Sequence, residues 1–157
     1  MRCPATRADE PERLQALAAY GLGNDAIPNL DPIVSVAAKL FDCPVAAVNI
    51  VGQDKVFITS GYGIDAYDNR RDVSFCAHAI QQHQVMVVED ATLDPRFHDN
   101  PIVEAGAIRF YAGVPLLAAS GHALGALCVI DTKPRGGFDK EEQARLKELA
   151  VLVQDQL

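Results

Sequence analysis

The stretch Arg109 to Asp131, RFYAGVPLLAASGHALGALCVID, decides the reading of this chain, because two apolar runs there flank one short polar turn. Each run is short for a helix and interrupted by glycine, so the pair reads as two strands joined across Ser120-Gly121. Alternation places Phe110, Ala112, Val114 and Leu116 on one face and Tyr111, Gly113, Pro115 and Leu117 on the other. In the second run Leu124, Ala126, Cys128 and Ile130 alternate with Gly125, Leu127 and Val129. Neither face is polar. A strand without a wet face must be covered on both sides, so this hairpin is expected in the middle of a sheet with helices or long loops packed above and below it.

Downstream, Thr132 to Gly137 reads as a turn, and Asp139 with Glu142 opens a final helix. Leu146, Leu149, Ala150, Val153 and Leu157 line one side of it, with Lys140, Glu141, Lys147 and Glu148 outside. The stripe runs to the last residue. That pattern fits a helix that pairs with its copy through Leu146, Leu149 and Val153, one that continues as a coiled coil in a longer protein, or an ordinary cover helix.

Upstream, VAAVNIV (Val45 to Val51) reads as a buried strand, with Val56 to Thr59 its hairpin partner and Gly61 to Val73 a surface loop. Ser74 caps a short helix reaching His83, on which Cys76, Ala79, Ile80 and His83 share a face. Val85 to Val88 is a third strand. Asp90 to Glu104, punctuated by Asp94-Pro95 and Asn100-Pro101, reads as an irregular passage of single helical turns, and passages of this length are often functional. Two helices precede all of this. The first opens at Asp9-x-x-Glu12, carries Leu14, Leu17 and Ala18, and stops at Gly21; a polar link, Gly23 to Leu30, follows it. The second starts at Asp31-Pro32 and presents Ile33, Val36, Ala37, Leu40 and Phe41 as its apolar stripe. Residues 1–30 therefore form an N-terminal helix and link, and residues 31–157 a single domain.

A chain of 157 residues buries enough core for one domain without staples. Its net charge of -7 repels nucleic acid and anionic membranes, so neither is an expected partner. No stretch is apolar for the length a bilayer requires, and MRCPATRADE lacks the hydrophobic region of a secretion signal, so the cytoplasm is the expected location. Cys3, Cys43, Cys76 and Cys128 are scattered without CxxC or metal-finger spacing, which favours reduced thiols. Cys43 and Cys128 fall inside apolar patterns, as small core residues do.

The strings LFDCPVAAVNIV, VSFCAHAI, VVEDATLDPRFHDNPIV, IRFYAGVPL and LGALCVID, the last followed by a Pro-Arg turn, resemble the GAF domain family from about Leu30 to the end. The similarity is greatest to bacterial GAF domains found ahead of histidine kinases and diguanylate cyclases. It implies an α+β fold of PAS/GAF type, a five- to six-stranded antiparallel sheet of order 2-1-5-4-3 with helices covering both faces. It also implies a pocket between the sheet, the short helix after Ser74 and the irregular passage, to which Phe75, Cys76, Ala79, Asp90, Phe97, Phe110 and Tyr111 would contribute as ligand-binding residues. The function so implied is a noncatalytic signalling module that senses a small molecule or holds a homodimer, and passes the change through its terminal helices to an output domain.

The alternative is a thiol enzyme or redox sensor using Cys76, similar to the methionine sulfoxide reductases of the same fold. Cys76 lies in the first turn of its helix, where the dipole favours a thiolate. His78, two residues along, points to a different face, which disfavours both a Cys-His pair and joint metal ligation. The reductases act with a cysteine from the segment leading into the fourth strand, and Asn100 to Arg109 contains none. Bilin-binding members carry Cys followed directly by His, whereas this chain reads Cys76-Ala77-His78. The Asn-Lys-x-Phe-Asp-Glu pattern of cyclic-nucleotide binders is missing too. Asp90, Asp94, Arg96, His98 and Asp99 could form a polar wall or hold a cation, but turn caps and an Arg96 ion pair account for them more simply. No glycine-rich phosphate loop, GxSxG or HExxH occurs, so no catalytic residue, metal ligand or cofactor is assigned.

Overall fold

In the computed structural model, residues 1–22, 27–64 and 70–157 are described. The first half of the polar link from Gly23 to Leu30 and the middle of the loop expected after Gly61 lie outside them. The chain runs α1 (Glu10–Tyr20), α2 (Asp31–Leu40), β1 (Val45–Val51), β2 (Val56–Tyr62), α3 (Phe75–Ala79), β3 (Met86–Val88), α4 (Pro101–Glu104), β4 (Phe110–Leu117), β5 (Ala123–Asp131) and α5 (Lys140–Gln154). Single 3-10 turns at Arg71–Val73 and Ala91–Leu93 complete it.

The strands form one antiparallel sheet of order β2-β1-β5-β4-β3. The apolar hairpin is thus β4 and β5, with β5 at the centre and both faces buried. One face carries Phe110, Ala112, Val114, Leu116, Leu127 and Val129 into a core with α2 and α5. The other carries Tyr111, Ala126, Cys128 and Ile130 into a core with α3, α4 and the irregular passage. A smaller cluster of Leu17, Ile50, Ala118 and Leu124 seats α1 against one end of the sheet.

Several local expectations need correction. The short helix after Ser74 ends at Ala79 and does not reach the expected His83. On α2 the buried residues are Val34, Ala37, Ala38 and the following Phe41, while Val36 and Leu40 remain 51% and 47% exposed. This helix is apolar nearly all round, so the sheet selects the face where two adjacent alanines permit close approach. On α5 the capping reading stands, Asp139 Oδ1 accepting the Glu142 N–H at 2.9 Å. Leu146 and Val153, however, are fully buried against the sheet and Leu149 packs on the same core, so this stripe is a cover face and is not available to a second copy.

The first helix is held differently from its sequence pattern. Asp9 makes no side-chain cap and instead pairs with Arg7 at 2.7 Å. Arg13, fully buried, donates from Nη1 to the carbonyls of Val51 (2.8 Å) and Ala123 (3.2 Å), and from Nε to Glu10 (2.5 Å). Glu10 also pairs with Arg71. Residues ahead of α1 run past α3: Gln81 Nε2 donates to the Ala5 carbonyl at 2.6 Å and the Arg2 N–H to the Arg96 carbonyl at 3.1 Å.

Candidate functional site

α3 exists because Ser74 Oγ accepts the Ala77 N–H at 3.3 Å, and its position is fixed from outside by Asn100. The Asn100 amide donates to the Val73 carbonyl at 2.9 Å while its Oδ1 caps α4 through the Ile102 N–H at 2.9 Å, which ties the irregular passage to the start of α3. Between these elements and the sheet lies a cavity of about 320 Å³. Asn49 from β1, Phe75 and Cys76 from α3, Ile102 and Ile108 from the passage, and Tyr111 from β4 are among its walls. A larger and more open groove, about 600 Å³, lies by Pro4, Glu10 and Arg71, and of its charged groups Glu10 and Arg71 are engaged in holding α1.

Two polar side chains of the cavity, Asn49 and Tyr111, converge on one sulfur. Cys76 Sγ lies 3.1 Å from Tyr111 Oη and accepts the Asn49 Nδ2–H at 3.2 Å; the same nitrogen stands 3.9 Å from Cys128 Sγ. Hydrogen bonding from Cys128, then from Tyr111 and Asn49, lowers the Cys76 thiol pKa against the burial that raises it, while that same contact and burial raise Cys128. Tyr111 reaches the sulfur because Gly113, two residues on and on the same face, has no Cβ; one built there would collide with the Tyr111 ring. Asn49 Oδ1 is buried without a hydrogen-bond partner among the described residues.

Of the residues expected at the pocket, Phe75, Cys76 and Tyr111 come together there. Phe97 stacks behind Phe75 with ring centroids 3.9 Å apart, and Ala79 lies in the same core without reaching the cavity wall. Asp90 sits outside, bound to Arg109 at 2.7 Å and capping the turn at Thr92, and the Arg109 guanidinium holds its carboxyl far below the usual carboxylate range. Phe110 points to the opposite face, 5.7 Å from the Phe138 ring, as strand alternation from Tyr111 requires. Arg96 pairs with Asp94 at 2.9 Å, the simpler of the two accounts of that cluster. His78 points away from Cys76, its Nε2–H donating to the Arg2 carbonyl at 3.1 Å and its ring edge on Phe97.

Asn49 and Gly113 were not singled out from the sequence. The signal for Asn49 was available, since VAAVNIV contains one polar side chain in a run otherwise apolar on both faces, and a lone buried amide needs a partner. Gly113 had no such signal: its role depends on where the Tyr111 ring lies.

A five-stranded antiparallel sheet of this order, with a cavity under a short helix on one face, defines a PAS-like fold. The sequence model of the GAF domain matches residues 25–157, and the chain belongs to the GAF domain family. It is 39% identical over 155 residues to the cyclic di-GMP phosphodiesterase PA2567 of Pseudomonas aeruginosa, covering 98% of this chain and 26% of that protein. The chain thus spans about a quarter of the length of that curated relative. Among solved structures it is similar to a putative GAF sensor protein from Burkholderia vietnamiensis (TM-score 0.68, 21% identity, 97% of this chain and 96% of that one). It is similar also to the free methionine-R-sulfoxide reductase of Neisseria meningitidis in complex with its substrate (TM-score 0.67, 19% identity, 99% and 95%). At these identities the structural likeness concerns the fold. No helix among the described residues is long and apolar enough to cross a membrane.

Proposed function

We propose that this GAF domain is a noncatalytic sensory module that binds a small molecule in the cavity under α3. The observation that carries the reading is the cavity itself, of ligand size and walled on one side by a rigid sheet. Its other side is built from one short helix and an irregular passage, joined through Asn100. A ligand changes the output only by favouring one arrangement over another, and these short elements are the ones able to shift. The segment ahead of α1 touches α3 directly, so displacement there reaches the N-terminal helix. The similarity to PA2567 supports an output domain that acts on a cyclic dinucleotide, and reduced cysteines fit a cytoplasmic setting. A thermal-shift screen with nucleotides, amino acids and small aromatics tests the reading: a cavity ligand raises the melting temperature, by an amount that grows with its concentration. Failure of every class to do so would count against it.

A second reading, a thiol redox sensor, is favoured by one observation: Cys76 lies on the cavity wall with hydrogen bonds that lower its pKa. Alkylation followed against pH separates the two. A thiol reacting only above the ordinary cysteine range leaves the binding module alone.

A further inference from the structure

Among the described residues of the cavity wall, Asn49 carries the buried polar atom that is left wholly unpartnered. It is 4% exposed, its Nδ2 is occupied with the sulfurs of Cys76 and Cys128, and its Oδ1 has no partner among the described residues. An orphaned carbonyl in an apolar wall is destabilising, a cost that a bound donor removes. The remaining described walls are hydrophobic, aromatic, thiol, hydroxyl or glycine, and none carries a charge. An anion entering here would lose its hydration and find no cation. The volume, about 320 Å³, equals the liquid volume of about ten water molecules, which is the scale of a one- or two-ring compound.

We infer that the ligand is an uncharged, largely apolar molecule of that size, bearing one N–H or O–H donor that hydrogen-bonds Asn49 Oδ1, and not a nucleotide or other phosphate. The inference rests on the sensory reading and narrows it. Phe75, whose ring tilts toward Tyr111 at 5.2 Å, supplies the apolar surface beside the amide. Affinity comes from burial and selectivity from the donor, because an isostere without the donor leaves Oδ1 unpaired.

Two matched pairs of probes, measured by calorimetry and thermal shift on the whole chain, test this. Indole carries the ring N–H that indene replaces with CH₂; benzamide is the neutral counterpart of benzoate. Indole is expected to bind at least about tenfold more tightly than indene, and benzamide to bind where benzoate does not. Asn49→Leu, similar in size and lacking the acceptor, is expected to bind indole and indene equally. Should that variant not fold, the wild-type indole complex decides, with the ring N–H expected within hydrogen-bond distance of Oδ1. Equal binding of indole and indene to the wild type, or tighter binding of benzoate than benzamide, overturns the inference and leaves the sensory site standing. Binding by none of the four overturns the inference too, while the sensory reading falls only if nucleotides and amino acids also fail to raise the melting temperature.

Discussion

At the scale of single residues, two clusters of buried polar groups do different jobs. Around Cys76 the polar atoms are few, uncharged and incompletely paired, as the proposed binding wall requires. Around Arg13 they are charged and ion-paired as a structural clamp, with Arg71 Nη2 left without a partner among the described residues. Replacing Arg13 by Ala strands the carbonyls of Val51 and Ala123 and removes half of the pairing of Glu10, so a loss of about 3 kcal/mol in urea unfolding is expected. Burial raises the Glu10 carboxyl, but hydrogen bonds from Arg13 and Arg71 outweigh it and leave the folded-state value below the ordinary one. The unfolded chain therefore takes up the proton first, and the stability Glu10 contributes is full above the ordinary glutamate range and is lost as pH falls through it toward the folded value. Unfolding free energy measured between neutral pH and pH 3 is expected to fall less steeply for Glu10→Gln than for the wild type.

Among elements, the contact that positions the cavity is the β1–β5 pair. Gly125 sits beside the Asn49 and Ile50 backbone so closely that a Cβ would overlap the Asn49 carbonyl. Gly125→Ala must push β1 from β5 at the residue whose amide lines the cavity, so a loss of at least about 2 kcal/mol is expected in denaturant unfolding. A variant as stable as the wild type would show that this strand pair has room the structure does not show. The hairpin periodicity was legible here because both strands are apolar on both faces, and alternation alone sorted Tyr111 from Phe110. Alternation could not decide which face held the cavity, and so could not place Phe110 away from it. The face of α2 was illegible for a related reason: with apolar residues nearly all round, periodicity admits two stripes, and the sheet chose the one with Ala37 and Ala38.

For the whole molecule, association has to use surface that the fold leaves over. With Leu146 and Val153 buried, the exposed apolar groups of the helices on that side are Val36 and Leu40 on α2 and Val151 and Leu152 on α5. A homodimer through the terminal helices, if it carries the signal outward, uses these. Light scattering at high concentration is expected to give a dimer for the wild type and a monomer for the double variant Val151→Glu, Leu152→Glu, with unfolding free energy little changed because both positions face solvent. A wild-type monomer would remove dimerisation from the function.

The sequence by itself determined the sheet, its covered hairpin, the capped helices at Ser74 and Asp139, and the family. All of these rest on local chemistry: alternation, side-chain caps, and strings short enough to read along the chain. Only the tertiary structure decided that Asn49, Cys76, Tyr111 and Cys128 meet, that Arg13 is a clamp, and that Phe110 and Asp90 stand outside the cavity. Those facts depend on which face of each strand a short helix happens to cover and on whether a buried amide finds both its partners. Such properties belong to pairs of distant residues, and no periodicity along the chain encodes them.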